Sequence, residues 1–168
     1  EMFERKGRER AADTLRAAGI DGLVTIGGNG TIKGALALAR EEKVRIAHVP
    51  STIDNDLPGT DITIGFDTAV NTAVAAIDRL RDTAASHGRV MLVEVMGRHN
   101  GHIAVEAAIG GGAEAAFIPE QVRELTGLKK KLAAWKASGK ASLILVVAEG
   151  DEAGGVFGRV TPAQKQQM

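Results

Sequence analysis

Residues 50–61 read PSTIDNDLPGTD, and the rest of the chain is understood from them. Pro, Gly, Asn and Asp at this density mark a loop, and the apolar run 44–49 leads straight into it. Asp54 and Asp56 are separated only by Asn55, and Thr52 lies two residues before the first carboxylate. Two carboxylates on a rigid loop at a strand's carboxyl end suit phosphoryl transfer. One accepts a proton from an attacking hydroxyl, and the other holds Mg²⁺ against phosphates. The plain alternative is an acidic surface turn whose Asp and Asn side chains bond their own backbone. A lone DxD pair favours that alternative; the flanking chain reverses the choice.

Upstream, residues 4–18 carry Ala11, Leu15 and Ala18 at helical spacing, with Gly19 as a stop. GLVTI (22–26) reads as a short buried strand, followed at once by Gly27-Gly28-Asn29-Gly30-Thr31 and a helix over 31–41. Strand, Gly-rich turn and helix is the arrangement that aims free backbone N–H groups at a phosphate. The spacing is neither that of GxxxxGK[ST] nor that of GxGxxG, and a tight turn without a ligand explains it about as well.

Downstream, a helix is expected over 67–86 with Val70, Val74, Ile77 and Leu80 on one face. Arg89 introduces a strand over 90–95 that ends at Met96-Gly97-Arg98-His99-Asn100-Gly101. A helix over 102–109 and a strand over 115–118 follow. A second helix then covers 123–138, with Leu125, Leu128, Leu132 and Trp135 as its apolar stripe. SLILVVA (142–148) is a strand ending at Glu149-Gly150, and the tail from Asp151 has no period. Arg98 at a strand's crest is a good anion ligand, whereas His99 and His102 lack a third ligand spaced to join them in a metal site.

Alternating strands and helices, with the strands apolar throughout, imply an α/β fold whose parallel sheet is covered on both faces. GGNGT, TIDND, MGR and Glu149 all fall at carboxyl ends of strands, where such folds bind ligands. Charges balance at 21 basic and 21 acidic residues, so no global field favours nucleic acid or a membrane surface. Aromatic residues make up 3 % of the chain, too few for base-stacking platforms. No cysteine is present, which excludes disulfides and thiolate metal sites and fits a cytoplasmic location. No apolar run reaches the roughly 18–20 residues of a membrane span, and EMFERKGRER does not read as a signal peptide.

Taken together, TIDND followed by GTD, TIGFDTA, AIDRLRDTA, SH and VEVMGR resembles the 6-phosphofructokinase family over nearly all of residues 4–150. The resemblance implies a three-layer, parallel-sheet sandwich of that family's type, incomplete at both ends. Residues 1–120 would be the central part of the larger, nucleotide-binding domain, and 121–168 the start of the sugar-phosphate domain. It also implies an enzyme that moves a phosphoryl group from Mg-ATP to the 1-hydroxyl of fructose 6-phosphate. Asp54 would be the base, Thr52 a substrate and phosphoryl contact, and Asp56 a carboxylate holding Mg²⁺. Gly28, Asn29, Gly30 and Thr31 would meet the nucleotide phosphates, with Asn29 beside the metal. Met96, Gly97 and Glu149 would line the sugar site, and Arg98 would stabilise the transferring phosphoryl group. Arg89 would reach the substrate of a neighbouring subunit in a homodimer or homotetramer, and Arg81 would belong to an effector site.

Three departures from the family pattern stand out. Asn29 replaces the usual Asp, removing a full charge from a site for a hard cation. Ser51 is neither the Gly of ATP users nor the Lys of pyrophosphate users; the missing Lys and the small Gly30 favour ATP, with pyrophosphate as the alternative donor. The third is length, which implies a piece of a longer protein that would not turn over by itself. An alternative of another class is a regulatory subunit that binds sugar phosphate without catalysis, which Asn29 favours and the intact Asp54, Asp56 and Arg98 oppose.

Overall fold

The computed structural model describes residues 4–121 and 125–150. The tail from Asp151 and the helix start expected at Arg123 lie outside them. The chain divides into two compact units, one up to Gly65 and one from Phe66 onward.

The first unit holds α1 (Arg5–Ala17), β1 (Gly22–Gly27), α2 (Asn29–Glu42), β2 (Arg45–Thr52) and β3 (Ile64–Gly65). The three strands form a parallel sheet in the order β1-β2-β3. Helix α2 packs on β1 and β2, and α1 packs on α2. The face that α1 buries is led by Arg8 and Ala12 rather than by Ala11, Leu15 and Ala18. Arg8 is buried because its guanidinium forms two 2.9 Å bonds with the Glu41 carboxylate, a fork that replaces the water it gives up.

The second unit holds α3 (Phe66–His87), β4 (Val90–Val95), α4 (His102–Gly110), β5 (Ala115–Phe117), α5 (Leu125–Ala137) and β6 (Leu143–Ala148). Its parallel sheet has the order β4-β6-β5. Strand β6 is buried at every position, as its unbroken apolar run requires. Ile144, Val146 and Ala148 pack with Ala73 and Ile77 of α3 and Ala104 and Ala107 of α4. Leu145 and Val147 point to the opposite face, against Leu128, Leu132 and Trp135 of α5. Trp135 is therefore core packing, and the three-layer arrangement is realised around β6. Strand β6, from beyond the expected 120/121 division, lies between β4 and β5 in this sheet.

The parallel α/β architecture is as expected, with one difference. Among the described residues the strands form two three-stranded sheets, and neither β1 nor β4 is covered on both faces. In the first unit, Val24 (64 % exposed), Ile26 (65 %) and Ile64 (60 %) share the side opposite the helices. An apolar run shows that a strand suits burial on both faces, but not which segment supplies the cover.

Candidate active site

In the first unit the Gly-rich turn is tighter than its sequence suggests. Strand β1 ends at Gly27 and α2 begins at Asn29, leaving only Gly28 between them. A Cβ at Gly27 would collide with the Thr31 side chain, so that position requires glycine. A Cβ at Gly28 would lie 3.3 Å from Thr52 Cβ, which places the turn's backbone directly against the end of β2. Gly30 has open space around it, so packing within this unit does not dictate its small size. The first α2 bond runs from Ile32 N–H to the Gly28 carbonyl, so the preceding amides have no partner within the helix and carry its positive dipole end.

Strand β2 continues through Pro50, Ser51 and Thr52, where a loop was expected, because Ser51 and Thr52 pair with Ile64 and Gly65. The loop proper begins at Ile53, and its form is set by Asn55, the residue between the two carboxylates. Asn55 sits at φ 51°, a left-handed conformation that Asn tolerates better than most residues. Its side-chain oxygen accepts the Thr63 amide at 2.8 Å, and its nitrogen donates to the Asp61 carbonyl at 3.3 Å. Thr63, 1 % exposed, donates its hydroxyl to the Thr52 carbonyl at 2.7 Å. The Asp54 amide donates to Thr52 Oγ1 at 3.3 Å. Asn55 and Thr63 thus lock the loop that carries Asp54 and Asp56. Asn55 thus makes the backbone bonds expected of an Asn in such a turn, whereas Thr63 left no signal in the sequence.

Asp56 meets the Gly-rich turn, with Asn29 Nδ2 donating to its Oδ2. The other carboxylate oxygen, Oδ1, is buried and has no hydrogen-bond partner. A buried acceptor without a partner calls for a donor or a cation. Among the described residues no three His, Cys, Asp or Glu side chains gather as a complete metal site. That partial set fits Mg²⁺, which takes one or two protein carboxylates and completes its shell with phosphates and water. Thr52, Asp54, Asp56, Gly28, Asn29, Gly30 and Thr31 are therefore brought together within one unit.

In the second unit, β4 and β6 end side by side. Glu149 N–H donates to the Val95 carbonyl at 2.9 Å and Gly150 N–H to the Gly97 carbonyl at 3.1 Å. Gly97 has φ +135°, and a Cβ there would strike the Asn100 carbonyl; one at Gly150 would strike the Arg98 backbone. These two glycines let the strand ends stay in contact and bring Met96, Gly97, Arg98 and Glu149 together. Arg98 Nε and Glu149 Oε1 stand 4.0 Å apart, with Arg98 77 % exposed, so the pair contributes little stability and leaves the guanidinium available to an anion. Beneath them, Asn100 Oδ1 accepts the His102 amide at 3.2 Å, and Glu120 Oε1 accepts the Gly101 amide at 2.9 Å. Both fix the start of α4, a task not evident from the sequence.

Two expected site residues stand elsewhere. Arg89 precedes β4, at the opposite end of that strand from Met96 and Arg98. Six residues at roughly 3.3 Å each separate them by about 20 Å. Arg81, on α3, donates from its guanidinium to the Gly111 carbonyl beyond the end of α4.

A phosphofructokinase family model matches residues 1–167. The chain belongs to the phosphofructokinase family. An ATP-dependent 6-phosphofructokinase 1 of Thermus thermophilus is 54 % identical over 158 residues, covering 94 % of this chain and 49 % of that protein. An ATP-dependent 6-phosphofructokinase of Cytophaga hutchinsonii is 52 % identical, covering 89 % and 45 %. The phosphofructokinase structure from Saccharomyces cerevisiae has 34 % identity and a TM-score of 0.82, covering 88 % of this chain and 23 % of that one. The chain spans about half the length of the curated phosphofructokinases it matches.

Proposed function

We propose that the protein carrying this chain is an ATP-dependent 6-phosphofructokinase. It would transfer the terminal phosphoryl group of ATP to the 1-hydroxyl of fructose 6-phosphate, a glycolytic step in the cytoplasm. The observation that carries this reading is the junction of the Gly-rich turn with the carboxylate loop, Gly28 against Thr52 and Asn29 bonded to Asp56. Donor phosphates on the free amides of α2 would lie beside a base and a cation-facing carboxylate. The relatives at 54 % and 52 % identity are named ATP-dependent, which favours ATP over pyrophosphate.

In this mechanism Asp54 takes the proton of the sugar 1-hydroxyl as its oxygen attacks the terminal phosphorus. The bond to the bridging oxygen breaks, and ADP departs with that electron pair. Thr52 orients the reacting groups, and Asp56 Oδ1, with Asn29 beside it, would hold Mg²⁺. The cation, when bound, offsets charge on the donor phosphates. Arg98 is assigned the charge that spreads over the transferring group, and Met96, Gly97 and Glu149 the sugar; family motif order supports these roles. Arg89 is assigned to the 6-phosphate of a neighbouring subunit's substrate, because its own strand holds it about 20 Å from Arg98. Arg81 is assigned to an effector site, and its guanidinium also serves the Gly111 carbonyl.

The test is Asp54→Ser in the full-length protein. Turnover should fall about 10²–10⁴-fold while fructose 6-phosphate binding persists; an unchanged rate removes Asp54 as base. The regulatory-subunit reading rests on Asn29 and requires sugar-phosphate binding with no turnover on either donor.

A further inference from the structure

We propose that Glu120 is a positioning residue for phosphoryl transfer, holding the peptide plane that backs Arg98. The inference deepens the reading above and rests on Arg98 taking up charge on the transferring group. Arg98 depends on such backing because its side chain is loosely held. It is 77 % exposed, and among the described residues its ionic neighbour is the Glu149 carboxylate at 4.0 Å. The direction in which it reaches is therefore set by the backbone of residues 96–101, between β4 and α4.

That segment is anchored at both ends. At the β4 end, the Gly150 N–H donates to the Gly97 carbonyl at 3.1 Å. At the α4 end, the Val105 N–H donates to the Gly101 carbonyl at 2.9 Å, and α4 enters the core through Ala104, Ala107 and Ala108. The two ends meet at the peptide unit between Asn100 and Gly101. Its N–H donates to Glu120 Oε1 at 2.9 Å. Its carbonyl lies against Gly97, where a Cβ would strike that oxygen. A trans peptide is planar with its N–H and C=O opposed, so holding the one fixes the other. Gly101 itself is pressed against β5's end, where a Cβ would collide with the Ile118 side chain. Glu120 comes from the turn that follows, in which the Gln121 N–H donates to the Ile118 carbonyl at 3.1 Å. Support thus passes from Glu120 through one peptide plane to Gly97, the residue before Arg98. Without Glu120 that plane is free to turn, and the backbone beneath Arg98 loses its backing.

A carboxylate beside a helix start also has a simpler task, offsetting the positive end of the dipole, which would affect stability and leave turnover alone. Two substitutions separate the tasks. Glu120→Gln keeps an acceptor at the same reach and removes the charge, whereas Glu120→Asp keeps the charge and withdraws the acceptor by one methylene. The experiment is steady-state turnover of the full-length protein with ATP, Mg²⁺ and fructose 6-phosphate. Glu120→Asp and Glu120→Ala should lower kcat about 10–10²-fold with little change in KM for ATP, and Glu120→Gln should restore most of the rate. Adding Glu120→Asp to Arg98→Ala should cost no further rate, because nothing is left to position. Wild-type kcat in Glu120→Asp, a Glu120→Gln as slow as Glu120→Ala, or multiplicative losses in the double variant would each overturn the proposal. If Glu120→Ala does not fold, a Glu120→Gln slower than Glu120→Asp overturns it instead. Wild-type kcat in Arg98→Ala removes the role of Arg98 and the proposal with it. A slow Arg98→Ala beside an unimpaired Glu120→Asp removes the proposal alone.

Discussion

Among individual residues, Asn55 shows how a spacer between catalytic candidates carries structural weight. Its backbone lies in the left-handed region, and its side chain satisfies Thr63 and the Asp61 carbonyl. Asn55→Ala should destabilise the protein by about 1–3 kcal/mol in denaturant unfolding, from lost hydrogen bonds plus backbone strain. Asn55→Gly keeps the backbone freedom and should recover only part of that loss. Equal stability of both variants and wild type would show that the loop is held elsewhere. Asp54, Asp56 and Arg98 stand out in the sequence because their types and spacing suit phosphoryl chemistry, and they follow the carboxyl ends of β2 and β4. The Asn29 contact with Asp56 was not, because it joins positions 27 residues apart. Sequence placed Asn29 near a metal by resemblance, and the side-chain geometry makes it a donor to Asp56.

Among the elements, β2 and β3 mark where local reading stops. Pro50 looks like the start of a loop, yet it closes the β1 register opposite Gly27, and β2 runs on because β3 pairs beyond it. A two-residue strand such as β3 leaves no periodic signal, since only its pairing defines it. Long helices and the unbroken run of β6 were legible because their spacing reflects the faces they bury. Glu114, between α4 and β5, joins elements in a pH-dependent way. Its carboxylate accepts the Ile144 amide at 2.8 Å and Lys140 Nζ at 3.0 Å. Burial raises its pKa, but the Ile144 amide and the Lys140 ammonium outweigh that, so the net shift is downward from 4.5. A depressed carboxylate contributes stability that is present above its unfolded pKa and lost as pH falls through the lower folded value. The stability advantage of wild type over Glu114→Gln should therefore be full near neutrality and shrink below about pH 4.5. A difference that grows on acidification in pH-dependent melting would contradict this placement.

For the whole molecule, the family and the parallel α/β class were legible from motif order and alternation, while coverage of the sheets was not. Val24 and Ile26 read as interior residues of a buried strand and stand exposed, beside Ile64, on one side of the first sheet, because an apolar run does not say which segment supplies cover. Arg89 carries the oligomer assignment. If it acts across subunits, mixing an Arg89→Ala protein with an Asp54→Ser protein under subunit exchange should restore a fraction of wild-type turnover. No restoration despite demonstrated exchange returns Arg89 to a role within its own subunit.

The carboxylate loop seated against the Gly-rich turn is proposed to perform phosphoryl transfer from ATP. Its most direct test is initial-rate turnover of the full-length protein with fructose 6-phosphate and Mg²⁺, using ATP or pyrophosphate as donor, for wild type and Asp54→Ser. Turnover with ATP is expected in wild type and should collapse in Asp54→Ser. Absence of ATP-dependent turnover in a wild-type protein that still binds fructose 6-phosphate would contradict it.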